Sequence, residues 1–207
     1  MNRMQRIGAL LGFGLLAITA ATAWAQSPDE IVRTTTAELF AAVDADRTHL
    51  EQNPDQLIDL TYQILVPRID TVYSGRLVLG RSGRGLEQEQ IERFADNMSD
   101  MLIRQYADAL LEFQTRDQIE VLPMGGDNSD RMTKVRTRVR LSTGARTPVD
   151  YVFRNTDQGW KIFDVIVEGI SYVTTFRNQI GEEIRQHGFE GMIERLESGQ
   201  VEVDVDE

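Results

Sequence analysis

The stretch Gly159–Ile180, GWKIFDVIVEGISYVTTFRNQI, decides the fold. Its first half reads as a strand that is apolar on both sides. Trp160, Ile162 and Ile166 fall on one face, and Phe163, Val165 and Val167 on the other. A strand with one face in water alternates apolar with polar, so this one is expected to be covered on both faces. Gly169 breaks the pattern, and Ser171 is then placed to cap a helix carrying Val173, Phe176 and Ile180 at helical spacing. The segment holds no obvious catalyst. It builds apolar interior.

Upstream the pattern is also of period two. Thr133 to Leu141 alternates, with Val135, Thr137, Val139 and Leu141 on one side and Lys134, Arg136, Arg138 and Arg140 on the other. A short strand around Ile119 and Val121 precedes it, ended by Pro123 and the turn-rich Gly125–Asn128. Ser142–Ala145 turns into a further strand with Val149, Tyr151 and Phe153 inward. That strand leads through Asn155–Gly159 into the opening stretch, giving four strands in all.

Before the strands the period is helical. Ser27-Pro28-Asp29-Glu30 reads as a capping box with proline in the first turn, opening a helix striped by Val32, Thr36, Leu39, Phe40 and Val43. Asn53-Pro54 opens a second helix, with Leu57, Leu60, Ile64 and Leu65 inward, stopped near Pro67. A short helix is expected over Asp70–Leu79, then the glycine-rich loop Gly80–Gly85. The longest helix follows, from Glu87 to Phe113, striped by Ile91, Phe94, Met98, Met101, Leu102, Ala109, Leu110 and Phe113. A last helix covers Phe189–Leu196. Helices, then an antiparallel meander, then helices is an α+β order. It predicts a four-stranded curved antiparallel sheet with helices packed on one face, enclosing an apolar cleft.

Arg3 and Arg6, the uncharged apolar run Ile7–Ala20 and the small residues of Ala23-Trp24-Ala25 read as a cleavable secretory signal over residues 1–25. No cysteine follows it, which argues against lipoprotein attachment. Residues 26–200 are expected to form one domain, and 201–207 an acidic disordered tail. Losing two arginines and no acid with the signal moves the net charge from −11 to −13, a poor balance for nucleic-acid binding. With no cysteine there is no disulfide framework, so the core must hold the fold. These features fit a soluble protein of a bacterial periplasm.

The catalytic inventory is thin. His49 and His187 are the only histidines and lack metal-ligand spacing to carboxylates. Gly80-Arg81-Ser82-Gly83-Arg84 misses the second glycine of a nucleophile elbow and the lysine of a phosphate loop. Asp70, Asp164 and Glu168 are more simply caps, strand-end or ion-pair residues than acids and bases. The chain reads as a non-enzyme without metal or cofactor.

The chain resembles the MlaC, or toluene-tolerance, family. The matching residues are Val149-Asp150-Tyr151, Gly159 to Val165, Val167 to Ser171 and Phe176-Arg177-Asn178-Gln179. Leu79-Gly80, Gln90 to Phe94 and Tyr106-Ala107 with Leu110 also fit. Two departures are Ser82-Gly83, where the family usually has an aromatic, and Phe176 in place of its common Tyr. The resemblance implies a periplasmic phospholipid carrier that holds diacyl lipid as cargo. Its implied partners are an inner-membrane ABC transporter complex with a ring of MCE domains and an outer-membrane lipoprotein–porin complex.

A lipid cavity is then expected between the sheet and the helices of Phe94–Leu110 and Val173–Ile180. Its candidate lining residues are Leu102, Tyr106, Val139, Leu141, Tyr151, Phe153, Val167, Val173 and Phe176. The cations Lys134, Arg136, Arg138 and Arg140 are either a solvated face or a docking patch for acidic partners. Glu120 is the one compensating acid foreseen, with no acidic row on the third strand. Two other readings stay open: an isomerase or hydrolase using Asp164 or Glu168, and an interaction module with a filled core.

Overall fold

The computed structural model describes residues 26–112, 116–125, 128–141, 143–201 and 203. The stretch read as a signal, Phe113, Ser142 and most of the acidic tail lie outside the described residues. The strands are β1 (Ile119–Val121), β2 (Met132–Arg140), β3 (Arg146–Thr156), β4 (Gly159–Val167) and β5 (Ile170–Ser171). They form one sheet in the order β1-β2-β3-β4-β5, each pair antiparallel.

The sheet thus has five strands rather than the four expected. The extra one arises at Glu168-Gly169, where both residues have positive φ (52° and 89°). That geometry suits a tight two-residue hairpin turn, and it folds Ile170 back onto Val167. Gly169 therefore turns the strand rather than simply ending it.

Pairing also corrects the face assignment on β4. Val152 lies opposite Asp164 and Phe153 opposite Ile162, leaving Phe163 as an extra residue. Directly opposed residues share a face, so Ile162 joins Phe153 and Val165 joins Tyr151 on one side of the sheet. A bulge reverses the phase of everything beyond it. The strict split of Ile162 from Val165 fails for that reason. The bulge is also a docking point: the Phe163 ring meets Tyr73 edge-on at 5.2 Å, and Ser74 Oγ donates to the Phe163 carbonyl at 2.8 Å.

Seven α-helices are described: α1 (Pro28–Ala45), α2 (Arg47–Gln52), α3 (Pro54–Leu65), α4 (Thr71–Leu79), α5 (Gln88–Tyr106), α6 (Ala109–Glu112) and α7 (Tyr172–Glu197). Ser27 precedes α1, but its hydroxyl donates to Asp29 Oδ1 at 2.8 Å and caps no backbone N–H. The reciprocal capping box stands instead on α5, between Glu87 and Gln90. Asp70 caps α4 by accepting from the Tyr73 N–H at 3.1 Å, and it pairs with Arg154. The expected long helix ends at Tyr106. Leu110 and Leu111 bond three residues back, to Ala107 and Asp108, and this tighter step separates α5 from α6. α7 is interrupted at Gly188, whose non-helical backbone (φ 72°, ψ 174°) separates the two expected terminal helices.

α4, α5 and α7 pack around Phe94, Ile180, Met192 and Ile193, all fully buried. Gly75 permits the close approach of α4 to α5, because a Cβ there would come 3.2 Å from that of Ala95. Val201 and Val203 are buried in the same cluster, and Gln105 Nε2 donates to the Val203 carbonyl at 2.8 Å. The start of the expected disordered tail is therefore packed at these two residues.

Asp164 ties β4 to α7. Its Oδ1 accepts from the Val173 N–H at 3.1 Å and its Oδ2 from Ser171 Oγ at 2.7 Å, while Ser171 Oγ accepts from the Thr174 N–H. Asp164→Ala removes two acceptors at a helix start and is expected to cost about 1–3 kcal/mol. A urea midpoint unchanged from that of the parent protein would show that the cap contributes nothing.

Candidate functional site

One face of the sheet and α1 enclose a cavity of about 410 Å³, within the usual range for small-molecule sites. From the sheet come Ile119, Val139, Val149, Tyr151 and Ile162. The α1 helix supplies Ile31, Val32, Thr35, Thr36, Leu39, Phe40 and Val43; Leu65, Tyr106, Leu110 and Tyr172 complete the wall. This lining is almost wholly apolar. A second cavity of about 160 Å³ lies between β4 and helices α4, α5 and α7. Ile162 and Tyr172 line both, so they stand between the two.

The expected lining set is divided by the fold. Tyr106, Val139 and Tyr151 line the larger cavity, and Leu102, Val173 and Phe176 the smaller. Leu141, Phe153 and Val167 line neither. Leu141 lies just past β2, in the turn where its N–H bonds the Ala145 carbonyl, and is 40 % exposed. Phe153 is fully buried against Ile31, Val32 and Val135, where the first turn of α1 closes on the sheet. Val167 is half-buried at the end of β4, next to the hairpin turn.

The sequence reading missed α1 as a wall. Its signal was present, since five stripe residues named above (Val32, Thr36, Leu39, Phe40 and Val43) all line the cavity. A stripe marks burial, not what is buried against it.

Tyr151 is one of five hydroxyl-bearing residues in the lining, with Thr35, Thr36, Tyr106 and Tyr172. Burial alone pushes its phenol up to about 12, with no charge or hydrogen bond from the described residues contributing. It therefore remains a neutral donor at physiological pH. Thr35 is also notable: its hydroxyl is buried and has no partner among the described residues.

On the opposite face of β2, Lys134, Arg136, Arg138 and Arg140 are all exposed. Asp150 on β3 lies opposite Arg136, and its Oδ2 is 3.2 Å from Lys134 Nζ. The third strand thus supplies an acid that the sequence reading did not foresee. Glu120 lies opposite Arg138, and its carboxylate is 4.0 Å from Arg146. Exposed pairs of this kind contribute little stability, about 0–1 kcal/mol each.

The residues considered for acid–base work do not converge. Asp164 is engaged by Ser171 and Val173, while Glu168 sits exposed on the hairpin turn. Among the described residues there is no group of three or more potential metal ligands, and no helix long and apolar enough to cross a membrane.

Comparison with known proteins places this architecture. The family model described as MlaC protein matches residues 33–198. Toluene tolerance protein ttg2D of Pseudomonas putida is 32% identical over 185 residues, covering 87% of this chain and 85% of that protein. The intermembrane phospholipid transport system binding protein MlaC of Haemophilus influenzae is 26% identical over 177 residues, covering 83% and 81%. A phospholipid-binding protein from Ralstonia solanacearum, solved in complex with a phospholipid, superposes with a TM-score of 0.73 at 26% identity. The match covers 84% of this chain and 96% of that one. With the family model spanning nearly all of the described fold, and relatives matching over most of their length, this chain belongs to the MlaC family.

Proposed function

We propose that this chain is a periplasmic phospholipid carrier, moving lipid between the outer and inner membranes to maintain the lipid asymmetry of the outer membrane. The observation that carries this reading is the apolar cavity under α1, in a fold whose Ralstonia neighbour was solved with a phospholipid. Val139, Tyr151 and Tyr106, with the α1 stripe, hold one part of the cargo. Leu102, Val173 and Phe176 serve the smaller cavity. No cofactor is required, because a carrier makes and breaks no bond.

The energetics imply partners. Removing ~30 methylenes from water at ~0.8 kcal/mol each gives on the order of 20 kcal/mol before costs. Spontaneous release into water is then negligible, and cargo must pass directly to another apolar site. By the family resemblance, those sites belong to an inner-membrane MCE-domain ABC transporter complex and an outer-membrane lipoprotein–porin complex. Organic extraction of the purified protein, followed by lipid mass spectrometry, tests the reading. Stoichiometric diacyl phospholipid is expected; a clean extract would favour an interaction module with a filled core. Turnover of a small molecule lost on Asp164→Asn would favour the enzyme reading.

The exposed cations of β2 give a second, subsidiary reading, in which Lys134, Arg136, Arg138 and Arg140 steer docking to acidic partner surfaces. Its motivation is imbalance: Asp150 and Glu120 face four cations and Arg146 in a protein of strongly negative charge. Replacing Arg136 and Arg138 together by Gln is expected to slow association with the membrane-anchored partners about tenfold at low salt, with the difference vanishing at high salt. Equal rates at low salt, with lipid content intact, would leave these cations as a solvated face.

A further inference from the structure

Among the hydroxyls lining the larger cavity, those of Thr35 and Tyr151 matter most. Thr35 is 7 % exposed, and its Oγ1 has no partner among the described residues. Helical threonines ordinarily return this hydroxyl to a carbonyl of the preceding turn. Thr34 does so, donating to the Glu30 carbonyl at 2.8 Å, and Thr61 donates to that of Leu57 at 2.7 Å. Thr35 does not, although it stands on the same helix as Thr34.

Tyr151 lines the same cavity from β3, and its phenol gains no hydrogen bond or charge from the described residues. Leaving a buried hydroxyl without a partner is unfavourable. Phe and Val would fill these positions without that cost. The buried, unpaired hydroxyl of Thr35 and the half-buried phenol of Tyr151, in a mainly apolar cavity, point to a ligand with hydrogen-bond acceptors set among its apolar parts.

Resting on the carrier reading, we propose that Tyr151 and Thr35 donate hydrogen bonds to the acyl ester carbonyls of the bound lipid. These carbonyls are the strong acceptors that a diacyl phospholipid carries between head group and chains. Tyr151 has no competing partner among the described residues, and Thr35 lines the same cavity from α1. Cargo is then selected by its linkage. Ester lipids satisfy both hydroxyls, whereas a diether lipid of the same head group and chains lacks the carbonyls and leaves them bare. Discrimination by unpaired buried donors is stronger than discrimination by apolar fit alone.

The test loads delipidated mature protein from vesicles holding equal amounts of diester and diether phosphatidylethanolamine of matched chain length. Bound lipid is quantified by mass spectrometry. The parent protein is expected to retain diester over diether by about tenfold, on the scale of one to two neutral hydrogen bonds. Tyr151→Phe and Thr35→Val each narrow the ratio, and the double variant brings it near one. The conservative changes keep shape, so each variant serves as a folding control for the other. A parent ratio near one, or one unmoved in the double variant, overturns the linkage proposal and leaves the carrier reading standing. A parent protein that takes up neither lipid overturns both.

Discussion

Val139→Asp is expected to abolish phospholipid copurification. Val139 is buried on β2 and lines the larger cavity, so on the carrier reading a carboxylate there would face acyl chains, with no cation among the lining residues. An isolated buried charge costs several kcal/mol or protonates to escape that cost, and either outcome spoils an apolar site. A loss of more than about a hundredfold in retained lipid follows from ~3 kcal/mol. Arg138→Asp, one residue away on the exposed face, is expected to keep full lipid. Leu39→Asp approaches the same cavity from α1 and is expected to behave like Val139→Asp. This second variant matters because the sequence reading gave α1 no part in the cavity. Circular dichroism establishes that each variant is folded. Folded Val139→Asp and Leu39→Asp proteins with full lipid would mean the cargo lies elsewhere.

Phe153→Ala is expected to have the largest effect on stability. The side chain is fully buried among Ile31, Val32 and Val135 and faces neither cavity. Truncating a buried phenylalanine typically costs about 3–5 kcal/mol, through lost transfer energy and the void left behind. Urea unfolding of delipidated protein reads the change without the stabilisation that bound cargo adds. Leu141→Ala is the contrast: this residue is 40 % exposed beyond the end of β2, and a shift within about 0.5 kcal/mol is expected. Both were candidates for lipid contact from sequence alone. A small effect at Phe153 or a large one at Leu141 would reverse their assigned roles.

β2 shows how much of the fold is written locally. Val135, Thr137 and Val139 are buried, and Lys134, Arg136, Arg138 and Arg140 exposed, as the alternation predicts, whereas Leu141, assigned to the buried side, lies exposed past the end of the strand. A strand's two faces are fixed by a period of two residues, which a short window contains entirely. The Asp70 cap and the helix starting after Ser171 were legible for the same reason. Each depends on a few neighbouring residues and on backbone geometry that those residues favour.

β4 shows where local reading stops. The extra residue at Phe163 exists only through the register of β4 against β3, and it moves Val165 to the face held by Ile162. Hydropathy marks both faces of this strand as apolar and carries no record of that shift. Asp150 joined the cations for a similar reason, because only pairing brings it opposite Arg136 and near Lys134.

The division of apolar residues between wall and core is the deepest case. Sequence determined that Phe153, Tyr151 and the α1 stripe are withdrawn from water. It could not determine that Phe153 meets packed side chains while Tyr151 and Leu39 meet a cavity. Water avoidance depends on a side chain's own apolar surface, whereas a void depends on how far apart other elements hold the two walls. In this protein, the seating of α1 over the sheet sets that separation, and only the tertiary structure decides it.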